Sequence, residues 1–404
     1  MSAIYPFAAL RPVPAAAAAV ASVPYDVVST DEARMLASGN PNSFLHVSRP
    51  EIDMPAGIDP HADDVYRRAA DAFQALKKNA PLIVEEVPSF YVYRLTMGKH
   101  VQSGVAACYS LDEYDRDLIK KHEKTRPDKE DDRTRHMLAI GAQTGPVFLT
   151  YRASKGIDAV VARVVAGAPL FDITAPDGVR HEIWQVPGGD NAAMTDAFGK
   201  IDALYIADGH HRAASAARAR RTRQNDAAPS AGLGSEADRV LAVAFPDNQM
   251  QVLPYNRVVR DLNGATPEEF LKTLGETFAV TSGSSETPSA KGMIAMFLGG
   301  QWYTIAMKTA SDALDVDLLE SAILGPVLGI KDIRTDTRID FVGGIRGTAE
   351  LERLVNTGAY AVAFSLYPVS VDDLMRIADA GGIMPPKSTW FEPKLRDGLL
   401  SHLI

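Results

Sequence analysis

Asp208-Gly209-His210-His211-Arg212 places four functional residue types in five adjacent positions. A short apolar run before it, Ala203 to Ala207, reads as a buried strand, and Ala213 to Arg220 after it reads as a helix. The pentapeptide is therefore expected to turn the chain from strand end to helix start. A glycine there lets the backbone approach a ligand, and the first N–H groups of a helix, with its dipole, favour an anion. Gly209, His210, His211 and Arg212 are thus candidate phosphate ligands. Asp208 is a candidate metal ligand or proton acceptor, and His210 joins it as a candidate catalytic group.

Two further clusters carry similar chemistry. In Lys121-His122-Glu123-Lys124-Thr125-Arg126, Glu123 is a candidate general base for a substrate hydroxyl, with Lys121, Thr125 and Arg126 able to hold phosphate oxygens. In the tail, Lys387, Ser388 and Lys394 offer two ammonium groups and a hydroxyl on an extended, proline-rich segment. Trp390 and Phe391 beside them could equally plug a core groove. Asn40-Pro41-Asn42-Ser43 and His46-Val47-Ser48-Arg49-Pro50 could line a polar pocket. Glu130, Asp131 and Asp132 read as a solvated face paired with Arg133 and Arg135. There is no P-loop, no Gly-x-Gly-x-x-Gly, no His-Glu-x-x-His and no Gly-x-Ser-x-Gly. Adjacent His210 and His211 would diverge on an extended chain, so the pair alone is not expected to bind zinc.

Three stretches must position these groups. Residues 1–105 read as an α/β region: a helix capped by Ser29 and ending near Gly39, an amphipathic helix over 63–78, and strands at 90–95 and 104–110. Residues 106–260 hold a charged helix ending near Ile140, a strand at 146–152, a helix at 157–165, the 208–212 turn, and a buried strand at 240–245. Thr222 to Asp238 between them reads as a mobile loop. Residues 261–404 form a further α/β region, with helices near 267–274 and 314–324, strands near 293–298, 302–307 and 360–365, and the tail.

Composition narrows the function classes. The 404 residues exceed a single core, and 46% apolar with 23% charged residues is ordinary for a globular protein. Against 42 Lys and Arg stand 51 Asp and Glu, a net charge of −9 that argues against a nucleic-acid partner. The basic run Arg218, Arg220, Arg221 and Arg223 suits a helix C-terminus. Cys108 is the single cysteine, so a reducing cytoplasm is the expected setting. Ala15 to Val20 lacks the basic flank of a leader and reads as loop or helix. No stretch is long enough to span a bilayer, so no membrane partner is expected.

Pro24-Tyr25-Asp26-Val27, Asn40-Pro41, Lys121 to Arg126, Ala207 to Arg212 and Pro386-Lys387-Ser388-Thr389 together resemble the bacterial family filed as domain of unknown function 1015, over nearly the full length. The resemblance implies an α/β (α+β) fold with a ParB/sulfiredoxin-like central core between N- and C-terminal α/β extensions. Sulfiredoxin-like enzymes need a cysteine where this chain has His210. ParB-like segregation proteins bring a helix-turn-helix domain and a basic surface, neither of which is found here. Free serine kinases share the Asp-Gly-His-His-Arg turn. Their resemblance implies a phosphate role for Gly209 to Arg212, a magnesium-linked or proton-accepting role for Asp208, and a catalytic role for Glu123, which stands further from the turn than in the small kinases. The expected activity is phosphoryl transfer between ATP or ADP and L-serine or phosphoserine, with Mg²⁺, and a homodimer is left open. A nucleotide-binding regulator and a metal-assisted phosphoserine phosphatase are the alternatives.

Overall fold

A computed structural model of the chain describes residues 2–80, 82–226, 236–307 and 313–404. They form a mixed α/β structure of two compact units. One comprises Met1–Met250 with Pro393–Ile404, the other Gln251–Glu392.

The first unit is built on a nine-stranded mixed sheet. Its strands are β1 (Ile4–Tyr5), β2 (Tyr91–Met97), β3 (His100–Ser110), β4 (Ile119–Lys120), β5 (Val147–Tyr151), β6 (Phe171–Thr174), β7 (Arg180–Gln185), β8 (Leu204–Asp208) and β9 (Arg239–Pro246). The order is β4-β8-β5-β9-β3-β2-β7-β6, with β1 paired to β3 where β2 ends. Only β8–β4 and β9–β5 run parallel. Strand β5 is buried along its whole length and β9 from Val240 onward, as their largely apolar sequences require. The sequence division at 105 falls inside β3, because β1 from the very start of the chain pairs with Cys108 and Tyr109.

The longer helices of this unit are α1 (Thr30–Ala37), α2 (Asp63–Asn79), α3 (Pro127–Ile140), α4 (Lys155–Val164), α5 (Asn191–Phe198) and α6 (His210–Asp226). Helix α1 opens with a reciprocal capping box between Ser29 and Glu32. Helix α2 buries Val65, Ala69, Ala72, Phe73 and Leu76, the stripe expected from its periodicity, together with Tyr66. Proline at its first position and Gly141 in the left-handed region at its end bound α3. The Ala15–Val20 run becomes a short 3₁₀ turn and one helical turn, Ala17–Val20.

Helix α6 differs from its sequence expectation at both ends. It starts at His210 rather than Ala213 and continues to Asp226. The segment expected as a loop from Thr222 is therefore helical up to Asp226, and its middle lies outside the described residues. Asp132 is also not on a solvated face. It is 7% exposed, accepts from Arg133 Nε and the Tyr66 hydroxyl at 2.8 Å, and stands 3.2 Å from His61 Nδ1. Sequence spacing put it beside Arg133, but the packing of α2 against α3 decides that this end is covered.

The second unit holds a six-stranded antiparallel sheet of β10 (Tyr255–Val259), β11 (Ala279–Ser282), β12 (Met293–Leu298), β13 (Gln301–Ala306), β14 (Ile339–Gly343) and β15 (Val362–Ser365), in the order β11-β13-β12-β15-β10-β14. Val258, Phe297, Trp302, Val342, Leu351 and Ala363 share one core. The expected helix at 314–324 is split into Asp315–Leu319 and a π-helical turn, Glu320–Leu324. No helix among the described residues is long and apolar enough to cross a membrane.

Candidate functional site

Strand β8 carries Leu204 to Ala207 into the core and ends at Asp208. Gly209 then takes φ +94°, which a side chain would strain, and a Cβ there would meet the Arg212 guanidinium at 3.0 Å. One residue thus suffices to reverse the chain, and His210 and His211 become the first turn of α6. Ala213, Ala214, Ala216, Ala217 and Ala219 are all buried, and these small side chains let α6 lie close on the sheet and on α3. Ser215 on α6 donates across to the Glu130 carbonyl of α3 at 3.1 Å, and Thr134, which donates to the same carbonyl within α3, has its hydroxyl 3.5 Å from the Ser215 carbonyl.

Asp208 receives a hydrogen bond from Lys394 Nζ at 2.9 Å, with Arg212 Nη2 at 3.7 Å from the same oxygen. Burial works against its charge. The Lys394 and Arg212 cations outweigh that penalty and hold the carboxyl well below the usual carboxylate range. Arg212 is 8% exposed and donates through Nη1 to the Pro146 carbonyl. Lys394 is therefore one of the residues the sequence singled out that the structure brings to the turn.

The 121–126 cluster is brought there too, in part. His122 and His210 lie 88 residues apart, yet their rings meet edge to face with centroids 4.4 Å apart. The His122 backbone N–H donates to His210 Nε2 at 3.4 Å. Burial pushes the His122 imidazole down to about 4, against the attraction of the nearby Asp208 charge. Burial first and His122 second push His210 well below its ordinary value as well. Glu123, half-buried, joins them: one ligand atom from each of His122, Glu123 and His210 lies within 4.8 Å of the others. His211 faces elsewhere and accepts from the Arg126 backbone N–H at 3.1 Å.

The other expected ligands are committed locally. Lys121 Nζ donates to the Tyr114 carbonyl at 2.6 Å and to Asp117 at 3.2 Å. Thr125 Oγ1 donates to Glu130, and the Arg126 guanidinium holds Asp128, at 2.8 Å through Nη2. Lys387 and Ser388 belong to the second unit. Lys387 sits at φ 60°, with its ammonium 5.6 Å from the Tyr255 ring centroid, and the Ser388 hydroxyl donates to the Pro385 carbonyl at 2.6 Å.

Behind Arg212 lies a small cavity of about 40 Å³ that sequence reasoning missed. Tyr25, Arg133, His136, Gln143, Arg212 and Asp397 are among its polar lining residues. Burial, helped by the charge of Asp26, pushes the Asp397 carboxyl up to about 7 despite Arg212 and Arg133. Gly145 is forced by the same carboxylate, since a Cβ would come within 2.9 Å of Asp397 Oδ1. Tyr25 and Arg212 stand in motifs that carried the family resemblance, and Ser48 in a segment expected to line a polar pocket, the available signals for this cavity. Of the residues 40–43 and 46–50, Asn40, Pro41 and His46 line an open groove of about 420 Å³, whereas Asn42, Ser43 and Arg49 do not.

A free serine kinase in complex with AMP is similar to this chain at 14% identity and TM-score 0.36, covering 73% of this chain and 92% of its own. A conserved hypothetical protein from Pyrococcus furiosus gives 15% identity and TM-score 0.36, covering 74% and 95%. SbnI with a C-terminal truncation, from Staphylococcus aureus, gives 13% identity and TM-score 0.39, covering 72% and 85%. No curated protein sequence matches the chain. The family profile described as "Protein of unknown function (DUF1015)" matches residues 4–322, and the chain belongs to that family.

Proposed function

We propose that the chain is a phosphotransferase that moves a phosphoryl group between a nucleotide, ATP or ADP, and free L-serine or phosphoserine. The observation that carries this reading is the gathering at one helix N-terminus of Asp208 with Lys394 and Arg212, and of Glu123 with His210. Such an end offers backbone N–H donors and a positive dipole to a transferred phosphate. Phosphoryl transfer asks mainly for positioning and charge neutralisation. As the serine Oγ–P bond forms and the bond to the nucleotide breaks, the hydroxyl proton passes to the Glu123 carboxylate. In reverse, protonated Glu123 returns it to the leaving oxygen. Lys387 and Ser388 are assigned no contact here. Cytoplasmic location and a homodimer belong to this proposal as expectations.

Mg²⁺ prefers carboxylate and phosphate oxygens. The Asp208 carboxylate is already neutralised by Lys394 and Arg212, so it fits a magnesium ion poorly, and no step is assigned to Mg²⁺ bound there. The direct test incubates the full chain with phosphoserine and ADP, and with L-serine and ATP, in Mg²⁺ buffer. Glu123→Gln is expected to slow transfer by about 10²–10⁴-fold with nucleotide affinity little changed. Phosphate release from phosphoserine without nucleotide would replace this reading with a phosphatase. Bound nucleotide without turnover in either direction would replace it with a regulator.

A further inference from the structure

We infer that His122, Glu123 and His210 form a binding site for one borderline divalent transition-metal ion, such as Zn²⁺, Co²⁺ or Fe²⁺. The inference stands on these three side chains and does not depend on the phosphotransfer reading.

Two imidazoles and a carboxylate are a donor set suited to such ions, whereas Mg²⁺ and Ca²⁺ take oxygen. The three ligand atoms lie within 4.8 Å of one another. Ligands at about 2.1 Å from a tetrahedral zinc ion stand about 3.4 Å from one another, so the ligand atoms must approach by up to about 1.4 Å, a distance side-chain rotation at Glu123 and the two histidines can supply. A second observation points the same way. His122 is 2% exposed, and neither of its ring nitrogens has a hydrogen bond of good geometry, although the Ile206 carbonyl lies close. A buried imidazole without partners is costly. An ion on one nitrogen, with the other turned to a carbonyl, is the usual arrangement around a metal-bound histidine. Glu123 is less buried than the two histidines and opens the site to arriving ions.

The local fold makes the site from distant pieces. His210 is held by the first turn of α6, and His122 and Glu123 by the segment between β4 and α3. Three protein ligands leave further positions for water or an anionic substrate oxygen. That places an electrophile beside the helix N-terminus, where Asp208 itself is occupied by Lys394.

The test uses the full chain stripped with a chelator. Co²⁺ is added as an optical probe, and Zn²⁺ and Mg²⁺ are titrated by calorimetry. One equivalent of Co²⁺ is expected to give a visible d–d band that Zn²⁺ removes and excess Mg²⁺ does not. His122→Asn, His210→Asn and Glu123→Gln should each weaken Co²⁺ binding by more than about 100-fold, beyond the loss typical of an outer-shell change. Circular dichroism checks that each variant is folded. Glu123→Gln, at the more open position, keeps the test valid if a histidine variant unfolds. Absence of the band in the parent chain, or equal Co²⁺ binding in all variants, overturns the inference. Phosphoryl transfer in the chelated protein is read separately. Transfer without metal binding sinks this inference alone, and metal binding without transfer sinks only the proposed activity.

Discussion

Lys394 Nζ lies 2.9 Å from Asp208 Oδ2 across 186 residues, so the last twelve residues of the chain close the charge balance of the strand-to-helix turn. Lys394→Met leaves Asp208 mostly covered, with only the longer Arg212 contact. A loss of about 2 kcal/mol is expected, the size of a charge-assisted hydrogen bond. Urea unfolding of Asp208→Asn, Lys394→Met and the double variant checks it. Strictly additive costs would show that the pair does not couple.

Gly209 has two reasons to be glycine, and they can be separated. Gly209→Ala meets both a left-handed backbone and the Arg212 guanidinium at 3.0 Å, whereas Gly39→Ala at φ +74° meets open space. Gly39→Ala should cost about 1 kcal/mol from backbone strain alone. Gly209→Ala should cost more and should also weaken nucleotide binding, because Arg212 must move. Equal melting temperatures for the two variants would show that the close approach has no energetic weight.

Cys108 is fully buried on β3, and burial raises its thiol well above the ordinary value. Because the thiolate is the reactive form, a thiol-specific reagent should fail to label the native protein and label it fully in denaturant. Rapid labelling under native conditions would mean that β3 opens.

Much of the local structure was legible in the sequence. Ser29 with Glu32 announced a capped helix, and the stripe from Val65 to Leu76 announced its buried face. The start of α6 was not legible, because the chain needs one left-handed glycine rather than a five-residue turn to leave β8. Candidate-site legibility followed the same line. The types of Asp208, His210 and Glu123 are visible locally, but the meeting of His122 with His210 is a long-range packing event without a local signal. Lys121 and Arg126 show the converse. Their charge suggested ligands, and nearby Asp117 and Asp128 engage them instead. Asp397 was invisible for another reason. Its importance comes from what surrounds it, namely Arg133 on α3 and Arg212 on α6.

Asp397 gives the stability of the fold a pH dependence whose sign is unusual for a carboxylate. Burial raises its folded value to about 7, against 3.8 for an unperturbed aspartate. Below pH 4 the group is protonated in both folded and unfolded chains and contributes nothing. Between pH 4 and 7 the folded chain holds the proton and the unfolded chain releases it. Stability therefore falls as pH rises through this window, then levels above pH 7. A difference of about three pKa units corresponds to about 4 kcal/mol for this one group. Asp397→Asn should abolish that component. The expected outcome is that the variant gains on the parent chain in urea unfolding free energy between pH 4.5 and pH 8, by up to about 4 kcal/mol. The opposing attraction of Arg212 is already contained in the folded value of about 7. A parent and variant with parallel pH profiles would mean that Asp397 ionises freely in the fold, and that the two arginines, rather than burial, govern the cavity.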